Sequence, residues 1–428
     1  MSERLKTGVR FMHEWMTVLL IVVLFPFKGI DGLRVAVYSL FFLSYALDYV
    51  AWQRWKSFQW KRSSWVFVLM MLYFLLIPLH APFETLHFHL AHDVAKYASF
   101  GAFAVMGVLG RAPYIRARRL ALTTMLTAFV ATWWMLLYHV GFLFFFQHTW
   151  AQIQGTVYMT RLQYYGVHMP YNLYMSLAAV IAAIWMVSHT GWKHRAGASL
   201  VFLTSVAMLC VSDSKLGPLI ALVCLLSLAV LWLWKQNRVR YALLLSLAAL
   251  TAAMAAAPSI YHKYEEHADV RVRVSLWRSA ASLVAERPLW GYGESDGSRQ
   301  LTLRCATCCP EVFLDDYYAS FDATVATVRA VNLRGSNDFI HAHNIFVQTL
   351  VYSGLIGLLI LISMLLGSVV LAPCGRRLQM LLLLLPIILQ GMTDNWGIGV
   401  NPMFVCVLIW VVLTMDGETT AKQDLALI

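Results

Sequence analysis

Charge is scarce in this chain. Only 13% of its 428 residues are Asp, Glu, Lys or Arg, whereas 60% are hydrophobic, and the mean hydropathy is +0.65. Acids are the scarcer sign, 22 against 33 basic residues. Soluble domains carry about 25% charge, so that class is excluded and the chain reads as an all-α polytopic membrane protein. A Gly-rich phosphate loop is missing, which removes nucleotide-driven chemistry of the ATPase kind. Outward acidic pairs reduce to Asp315-Asp316, too little to hold a divalent ion well. No small-residue cleavage site follows the first apolar run, so that run reads as a retained anchor.

What is present is a series of apolar stretches. Judged against the ~20 residues that a bilayer crossing needs, the spans fall near 11–28, 34–52, 64–80, 94–110, 119–140, 170–189, 196–212, 216–234, 240–257, 341–371, 377–393 and 401–416. That is about twelve transmembrane helices by the same criterion.

The basic residues settle sidedness. Clusters at Arg4–Arg10, Arg54–Arg62, Arg111–Arg119, Lys193–Arg195, Lys235–Arg240, Arg376-Arg377 and Lys422 fall in every second connection. Outside one long loop, the alternate connections hold only Lys28, Arg34, Lys96, Arg161 and Lys215. Positive charge stays cytoplasmic, and long loops cross regardless of charge. Both termini are therefore expected in the cytoplasm, with residues 258–340 facing outward. The +11 net charge marks this topology, not a nucleic-acid partner. The expected division is 1–257 (nine spans), 258–340 (the outer loop) and 341–428 (three spans and a cytoplasmic tail).

The chemistry concentrates where that loop re-enters the membrane, in HAHNIFVQTLVYSGLIG, residues 341–357. Two histidines entering a membrane helix are costly unless paired or used. On a helix, His341 and His343 diverge, while Asn344, Gln348 and Tyr352 form one stripe. The positive end of the helix dipole favours the neutral ring that a general base requires. Interfacial histidines bonded to headgroups or backbone remain the bland alternative.

Other polar residues face the same side. Arg161 either snorkels to a lipid phosphate or binds a substrate anion. Lys215, in the turn SDSKLGP, either pairs with Asp213 or adds a second cation. The stretch VRVRVSLWRSAASLVAERPLWGYG reads as a helix of about four turns ended by Pro288, with Val274, Trp277, Ala281 and Val284 as its apolar stripe. Arg271, Arg273 and Arg278 flank that stripe, and such a helix can lie flat on the membrane. Asp394 either orients an imidazole or sugar hydroxyl, or caps a helix. His89, His92 and Asp93 share a helix face, but without a nearby cysteine or second carboxylate they make a poor metal set. Cys305 is expected to pair with Cys308 or Cys309 in an oxidising outer compartment.

In order and sidedness these pieces resemble the bacterial O-antigen ligase and O-antigen polymerase superfamily. The motifs are R-x4-G-x5-N (Arg161, Gly166, Asn172), the Ser214-Lys215 turn, R-x3-W ahead of PLWGYG (Arg273, Trp277, Pro288, Gly291, Gly293), and H-N-x9-G-x2-G (His343, Asn344, Gly354, Gly357). The last motif, closing one dominant outer loop, looks most like an O-antigen ligase. The family usually has S-R where this chain has Ser214-Lys215; lysine keeps the charge and loses the bidentate fork.

The resemblance implies a GT-C-like glycosyltransferase of the bacterial inner membrane. It implies transfer of a polysaccharide from undecaprenyl diphosphate to a sugar hydroxyl of lipid A–core at the periplasmic face, making lipopolysaccharide. The donor already carries its leaving group, so no cofactor and no metal are called for. Such chemistry needs positive charge on the departing diphosphate, suiting Arg161, Lys215 and Arg273, and a base for the hydroxyl, suiting His343. Asn344 or Asp394 would orient that base, and in-line attack would invert the anomeric centre.

Three rivals stand beside this reading. An O-antigen polymerase uses the same donor but a second lipid-linked glycan as acceptor. Protein O-oligosaccharyltransferases are relatives with more soluble domain. A lipid-linked oligosaccharide flippase or other transporter predicts internal repeats and charge deep in the spans, and neither is visible.

Overall fold

The computed structural model describes residues 2–80, 90–112, 114–141, 148–165, 168–211, 217–248, 251, 268–308, 341–393 and 401–414. Among these residues every regular element is helical. The main helices are α1 (Glu3–Val23), α2 (Asp31–Ala51), α3 (Ser64–His80), α4 (Leu90–Leu109), α5 (Ala117–Trp134), α6 (Trp150–Tyr165), α7 (His168–Ser188), α8 (Trp192–Val211), α9 (Gly217–Lys235), α10 (Val239–Ala248), α11 (Ala268–Glu286), α12 (Glu294–Cys308), α13 (Ile345–Val370), α14 (Arg377–Thr393) and α15 (Asn401–Leu413).

Among the described residues, seven helical segments are long and apolar enough to cross a membrane: Asp31–Ala51, Ala117–Val140, Pro170–Ser188, Trp192–Val211, Gly217–Lys235, Ile345–Val370 and Cys374–Met392. The chain is thus a helical membrane protein with several spans. The described parts of the other expected spans are helices too short or too charged to count among these seven. Ser64–Leu76, Ser99–Leu109 and Val239–Ala248 are short apolar helices; α15 has 13 residues; α1 carries Lys6, Arg10 and Glu14.

The centre of the bundle is α7, buried at every residue from Tyr171 to Trp185. Its composition explains this: a helix apolar on all sides has no face to offer water. It packs against α5, α8, α9 and α14. Other helices bury one side and expose Leu40, Leu43, Leu47, Leu222, Leu225 and Leu359 on the other. Such a belt is stable facing lipid.

The two ends of α2 are pinned by charge. At its start Arg34 is 9% exposed. Its guanidinium donates to the Val23 carbonyl at 3.1 Å and to Phe25 O and Phe27 O, and it pairs with Asp31 at 2.5 Å. It thereby satisfies the last carbonyl of α1 and two more in the turn that follows. At the other end the Asp48 carboxylate, buried completely, pairs with Arg54 at 2.6 Å and accepts from the Tyr114 hydroxyl.

Two helices of the expected outer loop are described. α11 and α12 fold onto each other and onto the first half of α13. They share a small separate core of Leu276, Ala280, Leu283, Leu301, Cys305, Ala342, Val351 and Tyr352. The buried stripe of α11 is therefore Leu276–Ala280–Leu283, whereas Ala281 is exposed. The expected stripe was rotated from this one because the partner of α11 is protein on a neighbouring face. Cys305 is fully buried in this core. Cys309 and the Asp315-Asp316 pair lie outside the described residues, as do His87, His89 and the side chains of His92 and Asp93.

Candidate active site

The histidines of HAHN do not enter a helix. α13 begins at Ile345, and the turn ahead of it is clamped at Ala342. The Ala342 N–H donates to Gln348 Oε1 at 2.6 Å, and Trp277 Nε1–H donates to the Ala342 carbonyl at 2.8 Å. Ala342 is fully buried and Gln348 is 1% exposed. Both backbone groups of one buried residue are thus held, one by its own helix and the other by α11. An unsatisfied buried carbonyl costs about 1–3 kcal/mol, which Trp277 removes.

With Ala342 fixed, His343 is forced into the left-handed region, at φ 47°. A non-glycine residue pays about 1 kcal/mol there, and such outliers persist only where the surroundings over-determine them. His343 is partly exposed while Ala342 and Ile345 on either side are buried. The geometry sets the imidazole between a buried clamp and the helix start.

Asn344 is the N-cap of α13. Its Oδ1 accepts from Phe346 N at 2.9 Å and from Val347 N at 3.1 Å, and its Nδ2 donates to the Met392 carbonyl at 2.9 Å. Two of the N–H groups that open α13 are therefore committed to the cap. Asn344 positions the turn against the end of α14, two residues before Asp394. Asp394 itself lies outside the described residues, as do Gly166, Ser214 and Lys215.

The glycines of PLWGYG and of the H-N-x9-G motif meet one another. α13 breaks at Gly354, with φ 60° and ψ −161°. The carbonyls freed at Val351 and Tyr352 accept from Tyr292 N and Gly293 N, each at 2.9 Å; Leu355 N donates to Pro288 O at 2.8 Å. A Cβ on Gly354 would sit 2.4 Å from the Leu289 carbonyl, and one on Gly291 (φ 76°) 2.6 Å from the Tyr352 backbone. Only glycine allows both approaches. A break at membrane depth is tolerated because the opened backbone groups are re-bonded by protein.

The turn is fastened on its other flank as well. The His80 ring, at the end of α3, lies over Trp290 (centroids 4.8 Å apart), with Nε2 2.8 Å from the Trp290 carbonyl. Glu286 accepts from Tyr292 Oη at 2.7 Å and pairs with Arg304 at 2.5 Å, tying α11, the turn and α12 together. The Tyr292 hydrogen bond, with Arg304 behind it, holds the Glu286 carboxyl below the usual carboxylate range.

The expected cations stand apart in kind. Arg273 lies on α11 one turn before Trp277 and is half-buried, so the clamp on Ala342 also fixes the helix that carries it. Arg161 lies on α6 and is 1% exposed, with its guanidinium 5.8 Å from the Tyr171 ring centroid. Tyr171 is buried beside Phe25, Tyr165 and Tyr174. Sequence reasoning missed the anchoring role of Gln348, although the polar stripe that named it was a usable signal.

Residues 200–362 match the family model described as O-antigen ligase. The matched segment contains Arg273, Trp277, the PLWGYG turn, His343, Asn344, Gly354 and Gly357; Arg161 and Asp394 fall outside it. No curated protein matches the chain. Residues 200–362, which hold the clamped histidine turn and the paired glycine breaks, are thus similar to the O-antigen ligase family.

Proposed function

We propose that the chain is an O-antigen ligase. It moves a polysaccharide from undecaprenyl diphosphate onto a sugar hydroxyl of lipid A–core at the periplasmic face of the inner membrane. One observation carries the mechanism: Trp277 and Gln348 hold Ala342 by both backbone groups, so His343 is presented in a fixed, strained geometry. In this reading His343 takes the proton of the acceptor hydroxyl as that oxygen attacks the anomeric carbon. The bond from that carbon to the diphosphate oxygen breaks on the opposite side, and the configuration inverts. Arg161, Lys215 and Arg273 balance the charge gathering on the leaving diphosphate, a role preorganised cations perform without reorganisation. Asn344 positions the base through the helix start, and Asp394, which follows Met392 by two residues in the sequence, is the second residue assigned to orient the imidazole. The twelve-span, GT-C-like architecture with cytoplasmic termini is part of the same proposal.

The test is reconstitution of the purified chain with an undecaprenyl diphosphate-linked glycan and two alternative acceptors, in EDTA. Product on lipid A–core supports a metal-independent ligase. Longer lipid-linked chains with no lipid A–core product make it a polymerase using the same site. Movement of the lipid-linked glycan across vesicles without either product makes it a transporter.

A further inference from the structure

On the sidedness proposed above, Lys28 lies in a short outward connection, where lysine is disfavoured, and the mechanism leaves it unused. Two of its outward companions are accounted for. Arg34 closes the α1–α2 turn through three carbonyls, and Arg161 is buried beside Tyr171. Lys28 is exposed, and among the described residues no acid pairs with it. Its backbone is nonetheless fixed. The Lys28 N–H donates to the Tyr164 carbonyl at 2.8 Å, in the last turn of α6, and Arg34 holds the Phe27 carbonyl just before it.

α6 divides its faces. Ile153, Val157, Arg161 and Tyr165, spaced by four, are buried. Gly155, Thr156, Met159, Thr160 and Gln163 form the neighbouring face, and with Lys28 they line a groove of about 510 Å³, a volume in the range of ligand clefts. Other helices of the bundle turn leucines outward; this face offers two hydroxyls and an amide beside an ammonium. Thr and Gln side chains both donate and accept, as a row of sugar hydroxyls requires, whereas lysine only donates and suits an anionic group. Met159 is 62% exposed, and a Cβ at Gly155 would meet nothing within 4 Å, so an apolar contact and open room for a ring lie along the groove.

We infer that this groove is a saccharide subsite for an acidic sugar residue, with Lys28 on its anionic group and Thr156, Thr160 and Gln163 on its hydroxyls. The inference rests on the reading of the chain as acting on lipid-linked glycans and extends it. α6 carries Arg161 for the diphosphate on one face and holds a sugar on the next.

The test is ligand-observed saturation-transfer NMR on the full-length chain in detergent. The probes are a soluble disaccharide with one hexuronic acid residue, its neutral counterpart and dihexanoyl phosphatidylglycerol. Saturable transfer to the acidic disaccharide is expected, with weaker binding of the neutral one. In Lys28→Gln the Kd should rise about tenfold or more, as for a lost charge-assisted contact. In Gly155→Trp, whose ring fills the groove, transfer should vanish. No saturable transfer, or a Kd unchanged in either variant, overturns the subsite. Phosphatidylglycerol binding in place of the disaccharide, lost in Lys28→Gln, overturns the saccharide assignment and makes the groove a headgroup site. Should Lys28→Gln fail to fold, Gly155→Trp decides alone. Binding needs no transfer, so an inactive chain that binds the disaccharide keeps the subsite and loses the reading above. In an active chain, a KM raised by Lys28→Gln for the donor alone or the acceptor alone assigns the acidic sugar to that substrate; a KM unchanged for both overturns the subsite.

Discussion

Gly354 passes so near Leu289 that a single added Cβ would lie 2.4 Å from the Leu289 carbonyl carbon. The broken strand of α13 and the PLWGYG turn are bonded backbone to backbone there. This contact couples α11 and α12 to α13, the helix whose start carries the His343 turn.

Gly354→Ala is therefore expected to unseat the turn. It adds both a positive-φ cost of about 1–2 kcal/mol and a steric clash. Gly101→Ala is the control, because a Cβ at Gly101 meets nothing within 4 Å. Limited proteolysis near 288–293 should accelerate in the first and stay unchanged in the second. Equal protection in both would show that the contact is dispensable.

Trp277→Phe keeps the ring and deletes the donor to Ala342 O. The orphaned carbonyl costs about 1–3 kcal/mol, and the turn carrying His343 loses its outer clamp. A fall in kcat of about tenfold or more with little change in donor KM is expected. Wild-type kcat would show that the indole only fills space.

Asn344 separates capping from tethering. Asn344→Asp retains the oxygen that caps α13 and loses the donor to Met392. Asn344→Ala loses both, with about 0.5–2 kcal/mol from the cap. Stability should follow Asn ≈ Asp > Ala, whereas transfer activity should fall in both variants. Full activity in Asn344→Asp would mean the Met392 tether does not matter to the site.

Acid should loosen the outer helices. Glu286 is held below its ordinary range by Tyr292 and Arg304. The stabilisation is complete above the unfolded carboxylate range and is lost as pH falls through the lowered folded value. Amide exchange across 286–304, corrected for intrinsic rate, should rise at the acid end of that window. Glu286→Gln should remove the dependence; a pH response that survives it would place the sensor elsewhere.

Much of this site was legible in the sequence because its motifs are local. H-N, R-x3-W and the glycines of PLWGYG each sit within a few residues. What stayed hidden is long-range. That Gly354 breaks its helix to receive Gly291 requires knowing that residues sixty apart touch. The commitment of the Asn344 side chain to a cap follows from the helix starting at Ile345, whereas hydropathy places the segment's start at His341. Arg34 reads as a lone outward cation, yet it closes the α1–α2 turn through three carbonyls.

The central claim is that His343 acts as the base, and His343→Gly tests it most directly. Glycine accepts the positive φ that His343 adopts, so the backbone is kept while the imidazole goes. In the reconstituted reaction, transfer to lipid A–core should fall by about 10²–10⁴, with normal membrane insertion, and added imidazole should restore part of it. Transfer at the wild-type rate in His343→Gly would contradict the assignment and leave the clamped turn a purely structural device.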